Sequence, residues 1–286
     1  MLRFMAGAPG AAAAAGLWSR LSGQPRAASA ETAGAGRLNH SVCHWCFNSH
    51  YTVEEMCEVA KPMGITSVEL LGPNHWDTVR DHGMVCAMAS GPGGIENGWN
   101  DPAMHEELIA ESERLLPMIA EYGWPNMIVF SGNRRDLSDE EGLENCVRGL
   151  EQIVPLAEEV GVTVCIELLN SRRTHPDYMC DRTPWGVELV DRIGSDRFKL
   201  LYDIFHLQIM EGDIIQTIRD YHEHIGHYHT GGVPGRNEID ETQELNYRAI
   251  AEAIADTGFE GYVGQEFIPT GDPAESLQAA IDICNV

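Results

Sequence analysis

From residue 38 to the C-terminus the chain repeats one pattern eight times: a short apolar run, then a longer amphipathic stretch. The apolar runs lie at 40–47, 67–71, 84–89, 127–130, 163–168, 199–202, 225–229 and 262–267, and each reads as a strand. The stretches at 53–63, 74–81, 102–122, 138–160, 184–193, 214–219, 244–257 and 273–284 read as helices. Punctuation agrees. Thr52, Asp101, Ser138, Thr183 and Asp272 stand where N-caps belong, and Gly64, Gly123, Gly161 and Gly258 where helices stop. Strands that alternate with helices predict a parallel sheet covered by helices. Eight such units in about 250 residues predict an α/β chain of the (β/α)8 TIM barrel type. A doubly wound open sheet is the alternative; no G-x-G-x-x-G opens a helix after the first strand, which counts against its dinucleotide-binding form.

In a TIM barrel the chemistry sits at the C-terminal ends of the strands. Four successive apolar runs, the fifth to the eighth, end in Glu167, Asp203, His229 and Glu266. One strand-end Asp commonly caps the next turn, and one strand-end His commonly packs in a core. Four in register are different, because charged groups inside apolar strand ends are costly unless paired or bound to metal. Three carboxylates and one imidazole suit a single divalent ion such as Mg²⁺, Mn²⁺ or Co²⁺, with zinc also admissible. His44 and Asn133, at the ends of the first and fourth strands, are candidates to line the pocket. Trp45, Trp76 and Trp99 fall on the loop-bearing side as candidate walls. His227 shares a strand face with His229, one layer deeper, and reads as packing or as support for a ligand.

These strand ends carry a resemblance. "ELLN" with Glu167 and Asn170, "DIFH" with Asp203 and His206, His229 followed by "VPGR" ending at Arg236, and "QEF" around Glu266 resemble the xylose isomerase-like TIM barrels, and within them the hydroxypyruvate isomerase family. "GHYHTGGVPGRNEID" followed by "ELNY" is the most specific stretch, and the resemblance runs from about residue 38 to the C-terminus. It implies one divalent metal held by Glu167, Asp203, His229 and Glu266, with Glu167 and Glu266 also the catalytic proton-transfer carboxylates. Hydroxypyruvate isomerases have Gln at the third ligand position, where this chain has His229; sugar epimerases of the same superfamily have His.

The implied activity is that of a metal-dependent aldose–ketose isomerase on a small hydroxy-carbonyl substrate, hydroxypyruvate to tartronate semialdehyde. A ketose 3-epimerase or keto-inositol dehydratase on the same metal site is the alternative. Arg236, with its planar fork, is the candidate clamp for a substrate carboxylate. His206 is a candidate to bind a substrate oxygen or to orient a ligand. A non-catalytic sugar-binding barrel would have no use for the intact Glu167 and Glu266 pair. Family members are often oligomeric, so a homo-oligomer is open.

Charge narrows the partners. Arg3, Arg20, Arg26, Arg37 and Glu31 lie in the first 37 residues, which leaves 15 basic and 43 acidic side chains in the remainder of a chain of net charge −25. Such a body repels phosphate backbones, which argues against nucleic acid and against an endonuclease IV-like activity. No apolar run is long enough for an ordinary membrane span.

Eight cysteines in a chain of 286 residues do not form a disulfide framework, and several sit in apolar runs where a thiol packs as a small hydrophobe. Cys43 and Cys46, in "VCHWCF", have C-x-x-C spacing; on a single strand they would face opposite ways, which excludes a redox pair. Residues 1–37, rich in Ala and Gly, read as a targeting or disordered leader that ends in the A-x-A-like Ala28-Ser29-Ala30. It resembles the apolar part of a twin-arginine signal without the arginine pair, which would place the true start upstream of Met1. The expected location is the cytoplasm, or the periplasm if the leader is a truncated signal peptide.

Overall fold

A computed structural model describes residues 36–286. Seven parallel strands are present among them: β1 (Asn39–Cys43), β2 (Ser67–Glu69), β3 (Asn126–Val129), β4 (Thr163–Glu167), β5 (Phe198–Asp203), β6 (Ile225–Thr230) and β7 (Tyr262–Gln265). They pair in the order β2-β1-β7-β6-β5-β4-β3. The eighth expected strand, 84–89, fills the gap between β2 and β3 through single bridges: Val85 to Ser67, Ala89 to Leu71 and Ala89 to Met127. The fold is therefore the expected TIM barrel, with one irregular stave. Its irregularity has a cause in the side chains. Ser67 Oγ accepts from the Ala87 N–H at 2.9 Å and Asn126 Nδ2 donates to the Ala87 carbonyl at 2.8 Å, so side chains replace the backbone ladder there.

Most helices follow their sequence punctuation. Thr52 with Glu55, and Ser138 with Glu141, form complete capping boxes, and Asp272 accepts from two backbone N–H groups. The stretch 138–160 is two helices, Asp139–Leu150 and Val154–Val160, not one. Pro155, in the first turn of the second, has no N–H to continue the first. Asp101 does not cap a helix, which begins at His105, and Thr183 is the first residue of its helix rather than the cap. One helix is absent from the sequence expectation: Ile204–Met210 follows β5 directly, and the Asp203 side chain caps it by accepting from the His206 N–H at 3.0 Å.

The main apolar core lies between the sheet and its helices, and a small second cluster of Met88, Ile128, Cys165 and Leu201 fills the barrel interior. Residues alternate faces along each strand. Cys165 and Leu201 therefore point inward, and so do Glu167 and Asp203 two positions on. The interior thus changes from apolar to acidic at the C-terminal mouth. The first 35 residues of the expected leader lie outside the described residues; within the described part the Arg37 N–H donates to the Val286 carbonyl at 2.8 Å.

Candidate active site

The four strand ends converge. Ligand-type atoms of Glu167, Asp203, His229 and Glu266 all lie within 4.8 Å of one another, and all four residues are buried. His229 Nδ1 lies 2.7 Å from Glu266 Oε2 and 3.6 Å from Glu167 Oε1, without a well-directed hydrogen bond to either. Trp45 Nε1 donates to the other Glu266 oxygen at 2.7 Å. Arg236 reaches across the group: its Nη2 bonds Asp203 Oδ2 at 2.6 Å and also pairs with Glu266 Oε2. Its guanidinium lies over Phe205, 4.8 Å from the ring centroid, and near Trp45 at 5.8 Å. Arg236 holds a left-handed backbone, φ 58°, which is costly for a residue with a Cβ and places its side chain over the barrel mouth.

Burial and charge set the protonation of this cluster. Burial and the neighbouring Glu266 and Asp203 push the Glu167 carboxyl up to about 7, against the pull of His229. Burial also acts to raise Glu266, but Arg236 and His229 outweigh it and hold Glu266 below the usual carboxylate range. For His229, burial disfavours the charged ring, yet Glu266 and the other acidic neighbours carry it well above its ordinary value. Burial lowers His206 to about 3, so that ring is neutral.

The same cluster has the makings of a metal site. Three carboxylates face one guanidinium, and a buried imidazole nitrogen is aimed among them with no hydrogen bond of its own. The donor set fits one oxygen-preferring divalent ion.

Buried polar residues behind the cluster hold its side chains in place. Glu69, at the end of β2, is fully buried, and its Oε1 accepts from His227 Nε2 at 3.0 Å and His229 Nε2 at 2.9 Å. Glu69 is not among the sequence candidates, although "SVELL" has the same signature as the other four strand ends: one charged or ligand-type residue closing an apolar run. Asn170 Oδ1 accepts from the Arg173 and Thr174 N–H groups, which fixes the amide. Its Nδ2 is left to donate to His206 Nδ1 at 2.6 Å. The single proton of the His206 ring is therefore on Nε2, 3.0 Å from Arg236 Nη1.

A cavity of about 1250 Å³ opens above the cluster, lined by Trp45, Glu167, His206, Arg236 and Glu266 together with apolar side chains such as Phe130 and Ile268. Not every candidate reaches it. β1 ends at Cys43, and the next three residues form a 3-10 turn. That turn directs His44 to the Tyr51 carbonyl, 2.9 Å away, and brings Trp45 to the cavity instead. It also overturns the strand geometry assumed for Cys43 and Cys46, since Cys46 is not on the strand; all eight cysteines are free and buried. Asn133 bridges Tyr178 in the loop after β3 and is not among the lining residues. Trp76 packs edge-on against Trp124, and Trp99 lies tilted against His105; neither is among the residues that line the cavity.

The family model of the xylose isomerase-like TIM barrel matches residues 57–284. The chain belongs to this family. It is 25% identical over 249 residues to a putative hydroxypyruvate isomerase of Xenopus laevis, covering 82% of this chain and 90% of that protein. It is 27% identical over 237 residues to a 2-oxo-tetronate isomerase of Pectobacterium atrosepticum, covering 77% and 88%. Its fold superposes on D-psicose 3-epimerase from Clostridium cellulolyticum H10 with a TM-score of 0.70 at 19% identity, over 86% of this chain and 98% of the other. The relatives mark the chain as an enzyme of the isomerase kind.

Proposed function

We propose that the protein is a metal-dependent isomerase that moves a proton between the two carbons of an α-hydroxycarbonyl unit, converting hydroxypyruvate to tartronate semialdehyde. The observation that carries this is the convergence of Glu167 and Glu266 with Asp203 and His229 at the floor of one cavity. A divalent ion held by these four would act as a Lewis acid on the adjacent carbonyl and hydroxyl oxygens and acidify the C–H between them.

The chain's own groups do the rest. One glutamate removes the proton from C3 of hydroxypyruvate, and the same or the other returns it at C2. A hydroxyl proton passes from O3 to O2, so the reaction is redox-neutral overall. A carboxyl near 7, as at Glu167, suits both halves of the exchange. Glu266 is kept ionised by Arg236 and fixed by Trp45. Arg236 Nη1 and the His206 Nε2–H are both donors 3.0 Å apart, so an anionic or carbonyl oxygen bridging them from the cavity side would accept from both. This pair of donors supports Arg236 and His206 as the clamp for a substrate carboxylate.

One observation favours a second reading. Small-molecule sites commonly occupy roughly 300–1,000 Å³, and about 1250 Å³ leaves room for a sugar-sized substrate on the same two glutamates. That reading is a ketose 3-epimerase or a keto-inositol dehydratase. Incubation in D₂O with hydroxypyruvate and with a panel of neutral ketoses, read by NMR, separates the two. Deuterium entering hydroxypyruvate alone supports the isomerase and Arg236 as its clamp. Deuterium entering only a neutral ketose overturns hydroxypyruvate as substrate and supports the epimerase.

A further inference from the structure

We infer that Glu69 is a positioning residue: by accepting the Nε2–H of His229 from beneath, it fixes which ring nitrogen of His229 is offered to the metal. The inference rests on the metal site of the preceding reading, and its test is built to be separable from it.

A neutral imidazole has one N–H and one lone pair, and only the lone pair can bind a metal. His229 Nε2 lies 2.9 Å from Glu69 Oε1, and a carboxylate can only accept. In the neutral ring that a metal needs, the proton is therefore on Nε2 and the Nδ1 lone pair is aimed toward Glu167 and Glu266; a second proton on Nδ1 of the metal-free ring leaves when a metal binds. Without Glu69 the ring could carry its proton on Nδ1, which would place an N–H where the ligand belongs. His227 Nε2 donates to the same Oε1 at 3.0 Å and holds the carboxylate from the layer below. Cys43 Sγ approaches it from β1 at 3.4 Å. These three partners of Glu69 Oε1 all lie on the strands β1 and β6, and the residue is fully buried.

The room for this carboxylate is itself built. Gly264 on β7 pairs with His229 on β6. A Cβ at position 264 would lie 2.2 Å from Glu69 Oε1 and 2.9 Å from the His229 ring. Only glycine leaves space for the acid to pass under the ring. Three strands therefore cooperate, with β2 supplying the acceptor, β6 the ring and β7 the gap. Carboxylates that hold a ligating histidine in this way typically change metal affinity by about 10–100-fold when removed.

Two measurements test this. The first is ¹⁵N NMR of histidine-labelled wild-type protein, metal-stripped and then loaded with Zn²⁺. A solvent-protected proton on His229 Nε2 is expected in both states, because the bond to Glu69 does not depend on the metal. A proton on Nδ1 but not on Nε2 in either state overturns the inference. The second is a metal titration of the wild type, Glu69→Leu and Gly264→Ala, each checked for a wild-type fold by circular dichroism. The expected result is a roughly 10–100-fold weaker metal affinity in both variants. Wild-type affinity in a folded Glu69→Leu protein, which has no acceptor at that position, would contradict it. If the wild type itself binds no divalent ion, the metal reading fails, and the NMR result still decides whether Glu69 fixes the ring.

Discussion

At the level of single residues, two glutamates of one cluster have opposite electrostatic character. Glu167 is the carboxyl that burial and like charge push up to about 7, while Glu266 is held down by Arg236 and His229. Removing either carboxylate but keeping its shape should stop proton transfer. Glu167→Gln and Glu266→Gln are expected to lower kcat by about 10²–10⁴-fold at saturating metal, measured by steady-state turnover with metal content checked in parallel. A variant with full metal and unchanged kcat would remove that residue from the mechanism. The four ligand-type residues are legible in the sequence because a polar group at the end of an apolar run stands out. Glu69 has the same mark on β2, but it acts through His229, and no sequence spacing links the two. His227, by contrast, is placed beneath His229 by the two-residue period of a strand, and the structure finds it there.

At the level of elements, strand boundaries decide which residues reach the cavity. His44 reads as a strand-end residue because the apolar run continues to Phe47, yet hydrogen bonding ends at Cys43 and the chain tightens into a 3-10 turn. One turn moves His44 out and Trp45 in. Helix starts are more legible, since a capping box is a local device whose partners are three residues apart. Thr52 and Glu55 satisfy each other's backbone N–H groups, at 2.8 Å for Thr52 N to Glu55 Oε2 and 3.3 Å for Glu55 N to Thr52 Oγ1. Thr52→Ala is expected to cost about 1 kcal/mol of stability. Urea unfolding would show this as a lower midpoint with an unchanged slope; an unchanged midpoint would mean the cap adds nothing to the helix Val53–Ala60. The Asp203 cap is hidden in the sequence because the helix it starts, Ile204–Met210, opens on Ile204 and Phe205 and reads as more strand. Asp203 both caps that helix and faces the cluster, so capping the next turn does not take a strand-end Asp out of the site.

At the level of the whole molecule, the barrel gathers like charges that would repel one another in isolation. The eightfold alternation makes the architecture legible, and the irregular stave at 84–89 is not, since it depends on Ser67 and Asn126 reaching across from other strands. The gathered charges have a consequence for pH. Glu167 and His229 both bind a proton more tightly in the folded protein than in the unfolded chain. That preference stabilises the metal-free fold at low pH and is lost as the pH rises, for Glu167 through about 7. A divalent ion takes the place of those protons, so it should bind more tightly as the same protons leave. The most direct check on the metal centre is therefore a calorimetric titration of the metal-stripped protein with Mn²⁺, once below and once above the Glu167 value of about 7. The expected result is one site per chain, tighter on the alkaline side, with protons released on binding on the acid side. Absence of binding on both sides, or binding that survives the loss of Asp203 in a folded Asp203→Ala protein, would contradict a metal held by these four strand ends.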